Sequence, residues 1–258
     1  MLRLRPLPGS THVAFAAVDA FEQLPGLLRR LERSLGGSLS AFEVMWADFH
    51  TLVTTPPARA RPILPDGHPY YVLIEATGSD MESDAARFEQ SLSEALEGGD
   101  IVDAAIARSV AEQKAMWALR DDVGQTMRNA PICTFDVSLG IPLMESYVAE
   151  VRRALLERWP ASASLMVFGH LGDGNLHLVI GVGDGGDEAR HAVEVLAYGP
   201  LRQRHGSISA EHGIGLQKRE FLSWSRSAEE LAVMRTLKRA LDPTGILNPG
   251  KVLEDLAE

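Results

Sequence analysis

Apolar residues recur along the 258-residue chain with two periods, the alternation or short runs of strands and the three-and-four spacing of helices. "THVAFAAVDA", residues 11–20, predicts a strand. In "FEQLPGLLRRLERSLGG", Leu27, Leu28, Leu31 and Leu35 share one helical face, and Gly36 and Gly37 end it. "LSAFEVMW" predicts a second strand, residues 55–68 a loop, and "PYYVLIEATG" a strand of the buried kind. A helical region is expected from about Asp80 to Arg128, broken at "EGGD", where Gly98 and Gly99 close one helix and Asp100 caps the next. "ICTFDVSLGI" is a fourth strand, and "LMESYVAEVRRALLERW" a helix closed by Pro160. "SLMVFGH" and "NLHLVIGV" predict a hairpin, "GVGDGGDEAR" the nearest thing to a flexible loop. Ser227 and Glu230 form a capping box for "AEELAVMRTLKRAL", and "DPTGILNPGKVL" is a turn-rich tail. Strands separated by helices, with hairpins among them, predict an α+β fold: an antiparallel sheet with helices packed on one face. No internal repeat is visible.

Composition narrows the function. The chain is 45% hydrophobic and 23% charged, as in ordinary globular proteins, and a formal net charge of -10 without a basic run argues against nucleic acid. "VAFAAV", residues 13–18, is far shorter than the roughly 20 residues of a membrane span. "MLRLRPLPGS" has no apolar core of a secretory signal and reads as a linker, leaving residues 11–258 as the domain. Cys133 is the single cysteine, which excludes an internal disulfide and a thiolate-rich zinc site and makes a reducing, cytoplasmic setting the default.

The candidate chemistry lies in "FGHLGDGNLHLVIG", residues 168–181. Asp173-Gly174 suits a two-residue type I′ turn, which would place His170 directly opposite His177, with Cβ atoms roughly 5 Å apart. Two such imidazoles are either the polar edge of a hairpin or two ligands of one ion. "SISAEHGIGLQKRE" favours the second reading. It adds Glu211 and His212 among small residues, and two histidines with a carboxylate leave coordination positions open on zinc or a similar ion. A remaining histidine could then move a proton. In "AMWALRDD", Val110, Trp117 and Arg120 are at helical spacings, so Arg120 either ends an inward face or forms a salt bridge at a helix C-terminus.

Together, and in this order, "AMWALRDD", "HLGDGNLH", "SAEHGIGLQKRE" and "LDPTGILNPGK" resemble the C-terminal substrate domain of FAD-linked oxidases of the vanillyl-alcohol oxidase type. The likeness is strongest to the D-lactate, glycolate and D-2-hydroxyglutarate dehydrogenases, and implies a ferredoxin-like C-terminal domain. It further implies that His170, His177 and Glu211 ligate a divalent metal, zinc or else manganese, and that Asn175 faces the substrate. His212 would take the hydroxyl proton while the α-hydrogen leaves as hydride to flavin. Arg120 would hold the substrate carboxylate, and Asn248 and Lys251 would belong to a tail that returns to the flavin domain, although Asn-Pro-Gly is also simply a good turn. Relatives selective for 2-hydroxyglutarate have a lysine and a threonine where this chain has Thr134 and Gly124. That favours a monocarboxylate such as D-lactate or glycolate. Gly140 replaces a common proline without evident consequence.

No glycine-rich pyrophosphate loop is visible upstream of residue 100, so FAD is expected to be held mainly by a separate N-terminal domain and the isolated chain to be inactive. Partners would be a small 2-hydroxy acid, that FAD domain and an unidentified electron acceptor, with homo-oligomers or peripheral membrane association left open. Two other readings stand beside this one: a non-catalytic binding or scaffolding domain of the same fold, and a stand-alone metal hydrolase using His170, His177 and Glu211.

Overall fold

The computed structural model describes residues 7–254, which divide into two compact units. The first contains the described residues up to Arg128 together with Met166–Asp173; the second contains Asn129–Leu165 and the chain from Gly174. The fold is α+β, with antiparallel strands and helices packed against them. Residues 1–6 of the expected linker lie outside the described residues. Its last residues already belong to the sheet, because Gly9 N–H donates to Gly78 O at 2.8 Å and Ser10 opens β1.

The first unit runs β1 (Ser10–Val18), α1 (Leu24–Leu35), β2 (Leu39–Trp46), α2 (Ala47–Thr54), β3 (Tyr70–Gly78), α3 (Met81–Glu97), β4 (Asp103–Ile106) and α4 (Val110–Asp121). Its strands lie in the order β4-β1-β3-β2, the split βαβ arrangement of a ferredoxin-like fold. The heptad-like leucines do what their spacing requires: Leu27, Leu28, Leu31 and Leu35 are all buried, and Gly36, at φ 58°, stops the helix. α1 and α3 pack together on one face. The other face is covered as well, by α2 and α4: His50 of α2 stacks on Tyr71, and Trp117 of α4 donates to Glu75 at 2.8 Å. Cover on both faces is why β1 is an almost unbroken buried run, from Val13 to Val18.

Two local expectations change, and one helix was not foreseen. The helical region before Arg128 is interrupted by the four-residue edge strand β4, which pairs with β1. Asp100 does not cap the following helix; its carboxylate pairs with Arg30 at 2.5 Å, and Ser109 caps α4 by accepting from Glu112 N–H. α2, in the apolar stretch after β2, is too short to declare a period.

The second unit contains β5 (Ile132–Ser138), α5 (Met144–Arg158), the first two residues of β6 (Ser164–His170), β7 (Asn175–Gly181), α6 (Asp187–Tyr198), a single turn α7 (Leu222–Ser225) and α8 (Ala228–Leu241). α6 takes up the end of the expected flexible loop. Ser227 and Glu230 form the capping box expected at the start of α8. The connection after β6 is a three-residue 3-10 turn, Leu171–Asp173, and only Gly174 of the Asp173–Gly174 pair has positive φ. A type I′ turn needs both, so it does not form; Leu171 is instead buried within the turn.

The order of elements repeats although no sequence repeat announces it. β4 flanks β1 and β3 pairs with its other edge; likewise residues 207–210 flank β5, and β7 pairs with its other edge. In the second unit the place of a regular edge strand is therefore taken by an irregular segment leading into Glu211 and His212.

Candidate functional site

β5 carries a single acid, and the segment that follows Ser207 is built around it. Asp136 is 1% exposed and faces His177 as its direct partner in the β5–β7 ladder. Ser207 exchanges both backbone hydrogen bonds with Ser138, and Ala210 N–H donates to Asp136 O, which lays the segment along β5. The chain then turns across the acid. Asp136 Oδ2 accepts the N–H groups of Ala210, Glu211 and His212 at 3.1, 3.0 and 2.8 Å, and the Ser209 hydroxyl at 3.2 Å. Burial works against ionisation of Asp136, but the donors from His212 and Glu211 and the charges of His212 and Lys218 outweigh it and hold its carboxyl below the ordinary value. Gly213 and Gly215, both at positive φ, let the loop leave sharply.

The result is a cluster in which ligand atoms of Asp136, His177, Glu211 and His212 all lie within 4.8 Å of one another. Glu211 Oε1 is 3.6 Å from His177 Nε2 and 3.9 Å from His212 Nε2, and the two imidazoles stack at 5.7 Å. His177 is largely buried, whereas the His212 side chain is 62% exposed, so one is held and the other is accessible. Asn175, at the head of β7, is buried beside Ser138 in the ladder. Among the described residues, Asp136 Oδ1 and Asn175 Oδ1 are buried side-chain oxygens without a hydrogen-bond partner. Two imidazoles, two carboxylates and an orphaned buried oxygen form a donor set that fits a divalent ion.

In the first unit, β2 also has one acid in an apolar run, and it too faces a histidine. Glu43 is the ladder partner of His170. His170 Nδ1 lies 2.7 Å from Glu43 Oε1, Arg120 Nε donates to Glu43 Oε2 at 2.9 Å, and Arg120 Nη2 approaches His170 Nε2 at 3.3 Å. The guanidinium also lies 5.3 Å from the ring centre of Phe168. Burial opposes the charge on Glu43, yet the His170 hydrogen bond and the Arg120 and His170 charges together hold its carboxyl below the ordinary value. Arg120 thus ends α4 facing inward and also forms a salt bridge there, which joins the two readings its spacing allowed.

Asn248 and Lys251 lie in the exposed tail, Asn248 at φ 49° with its carbonyl accepting Lys251 N–H. The tail is tied to the loop beyond the cluster: Val252 N–H donates to Gly215 O at 2.8 Å and Arg219 to Gly250 O at 2.5 Å. Within the second unit His177, Glu211 and His212 come together with Asp136, and Asn175 lies two residues before His177; His170 and Arg120 come together with Glu43 in the first. Neither acid was among the candidates. The signal that could have found both is a single carboxylate with apolar residues on either side of it within a predicted strand, in "AFEVM" and "TFDVSL", a position that must be paired if it is buried.

The family model for FAD linked oxidases, C-terminal domain, matches residues 7–252. The chain is 35% identical over 250 residues to a mitochondrial D-2-hydroxyglutarate dehydrogenase of Arabidopsis thaliana, covering 96% of this chain and 44% of that protein. It is also 35% identical over 253 residues to a provisionally named mitochondrial D-lactate dehydrogenase of Schizosaccharomyces pombe, covering 95% and 48%. The chain spans about half the length of the curated relatives it matches. Among solved structures, 4-ethylphenol oxidase from Gulosibacter chungangensis aligns with a TM-score of 0.64 at 12% identity, over 98% of this chain and 55% of that one. p-Cresol methylhydroxylase aligns with a TM-score of 0.65 at 10% identity, over 97% and 54%, so the likeness extends to the fold. A match over nearly every described residue, with the same fold recurring in solved oxidases, places this chain in the family of FAD linked oxidases, C-terminal domain.

Proposed function

We propose that residues 11–258 form the substrate- and metal-binding part of an FAD-dependent D-2-hydroxyacid dehydrogenase, which oxidises the hydroxy acid to the 2-oxo acid. The observation that carries the reading is the cluster of Asp136, His177, Glu211 and His212 assembled on an edge-strand position. His170, His177 and Glu211 would hold a divalent ion, zinc or else manganese. When bound, that ion would supply a charge that lowers the pKa of the substrate hydroxyl, and FAD, which would be held mainly by a domain outside these residues, would supply the hydride acceptor.

The chain's own residues would do the rest. His212, an accessible imidazole whose backbone N–H is fixed on Asp136, would take the hydroxyl proton at neutral pH. Arg120, anchored on Glu43, would bind the substrate carboxylate through its guanidinium fork. Asn175 would offer its buried amide to the substrate, and Asn248 and Lys251 would meet the flavin domain from a tail fixed to the Gly215 loop. Thr134 is neutral and exposed, and Gly124 has no side chain, so neither could pair with a second carboxylate. D-lactate, glycolate or a hydrophobic relative is therefore the proposed substrate, in contrast to the dicarboxylate named for several relatives. No described helix is long and apolar enough to cross a membrane, and the lone Cys133, its thiol pushed up by burial, suits a reducing compartment such as the cytoplasm.

The test uses the natural protein containing this chain. Metal analysis should find about one equivalent of zinc or manganese, lost in His177→Ala and Glu211→Ala. A screen of D-2-hydroxy acids with an artificial electron acceptor should show D-lactate or glycolate turned over in preference to D-2-hydroxyglutarate. A protein free of metal and flavin would favour a non-catalytic binding domain instead.

A further inference from the structure

We infer that Lys218 is a positioning residue that fastens the loop bearing Glu211 and His212 onto β5, through one ammonium group shared by Ser209 and Asp136. It rests on the proposed function above for its purpose, but not on a bound ion. Lys218 Nζ donates to Ser209 Oγ at 3.0 Å and lies 3.8 Å from Asp136 Oδ2. An ammonium has only donors, so the Ser209 oxygen accepts here and keeps its own proton. That proton is within reach of Asp136 Oδ2 at 3.2 Å and of Gly213 O at 3.0 Å. Ser209 and Lys218 stand at the two ends of the segment that contains Glu211 and His212. One side chain therefore ties both ends of that segment to the acid beneath it.

This is not how a surface lysine is placed. Such a lysine lays its stem on the protein and keeps its charge in water. The Lys218 side chain is only 13% exposed, and among the described residues Asp136 supplies the one carboxylate in ion-pair contact with its ammonium. The backbone adds to the tie, because Lys218 N–H donates to Ile214 O at 3.2 Å and closes the turn that follows Gly213. One flank of the side chain is open. Lys218 lines a cavity of about 380 Å³ at the edge of β5, together with Thr134, Glu194, Tyr198 and Gln217. Shortening the side chain would leave a space beside Asp136 that a small amine can enter from this cavity.

The test uses the natural protein containing this chain. Lys218→Met keeps the stem and removes the ammonium, whereas Lys218→Ala removes both. Hydrogen–deuterium exchange at residues 209–213 should accelerate about 10- to 100-fold in each variant, the effect of losing one charge-assisted tie, while β7 keeps its wild-type exchange. Ethylammonium should restore slow exchange in Lys218→Ala, and ethanol, of similar size but uncharged, should not. In oxidation of D-lactate with an artificial acceptor, kcat should fall in Lys218→Ala and recover with ethylammonium, with KM little changed because Arg120 and Glu43 are untouched. Wild-type exchange in Lys218→Met overturns the inference, as does rescue of Lys218→Ala by ethanol as well as ethylammonium, which would make Lys218 a packing residue. Faster exchange with an unaltered kcat also overturns it. A wild type that turns over no hydroxy acid overturns the proposed function alone; the exchange of Lys218→Met and its counterpart with ethylammonium then still decide whether Lys218 holds the loop.

Discussion

Replacing Asp136 by Asn should release the loop that carries Glu211 and His212 while leaving the rest of the fold in place. Three backbone N–H groups, of Ala210, Glu211 and His212, converge on Asp136 Oδ2 at 3.1, 3.0 and 2.8 Å. Hydrogen bonds to a charged group contribute about 1.5–3 kcal/mol each, roughly twice the neutral value. An asparagine oxygen in the same place keeps the bonds but loses the charge, so the three together weaken by roughly 2–4 kcal/mol. Local opening of the loop should become easier by that amount, and at 1.36 kcal/mol per tenfold this is about 30- to 1000-fold faster amide exchange. Hydrogen–deuterium exchange of the peptide covering residues 205–216 measures it, with peptides from β1 and β3 as internal controls. Unchanged exchange at residues 210–212 would refute the reasoning. Equal acceleration in β1 would also refute it, since it would mean that the acid supports global stability and not the loop.

Three other outcomes are expected. His50 is buried, which pushes its pKa from the ordinary 6.5 down to about 4, with Asp66 opposing the shift. The unfolded chain therefore binds the proton first, and stability that is complete above pH 6.5 should be lost by about 3 kcal/mol on descending to pH 4. Urea midpoints across that range should slope less in His50→Phe than in wild type, and identical slopes would exclude the effect. Gly174→Ala places a Cβ 2.9 Å from Leu139 O at φ 70°, so the left-handed backbone alone should cost about 1–2 kcal/mol, visible as a drop of a few degrees in Tm. Arg120→Lys keeps a charge but loses the fork, and kcat/KM for the hydroxy acid should fall roughly 10- to 100-fold in the natural protein; an unaltered value would remove Arg120 from substrate binding.

Much of the architecture could be read from period alone because the signals were long and their punctuation conventional. α1 has five core leucines and a glycine stop; β3 is bounded by loop residues; α8 has its capping box. What escaped is short or set by distant partners. β4 has four half-buried residues and exists because β1 offers it an edge, a tertiary condition that no local window contains. The turn before β7 shows a different limit. Asp-Gly is compatible with a type I′ turn, but burying Leu171 within the connection goes with a longer one.

The site divides along the same line. His177, Glu211 and His212 were legible because polar, ligand-type side chains set among glycines and small residues leave room for a bound group, and the fold brings them together. Asp136 and Glu43 were not, because a lone acid in a strand is ambiguous until its cross-strand neighbour is known. The ladder resolves it in both cases, placing an acid opposite a histidine: Asp136 with His177, and Glu43 with His170. A buried carboxylate is unfavourable unless it is charge-paired or accepts several donors, and here each does both. Their presence therefore indicates that the groups beside them, an arginine and a histidine in one case and three loop amides in the other, are required in fixed positions. Each acid thus fixes the groups beside it while leaving part of a histidine accessible, His170 beside Glu43 and His212 beside Asp136.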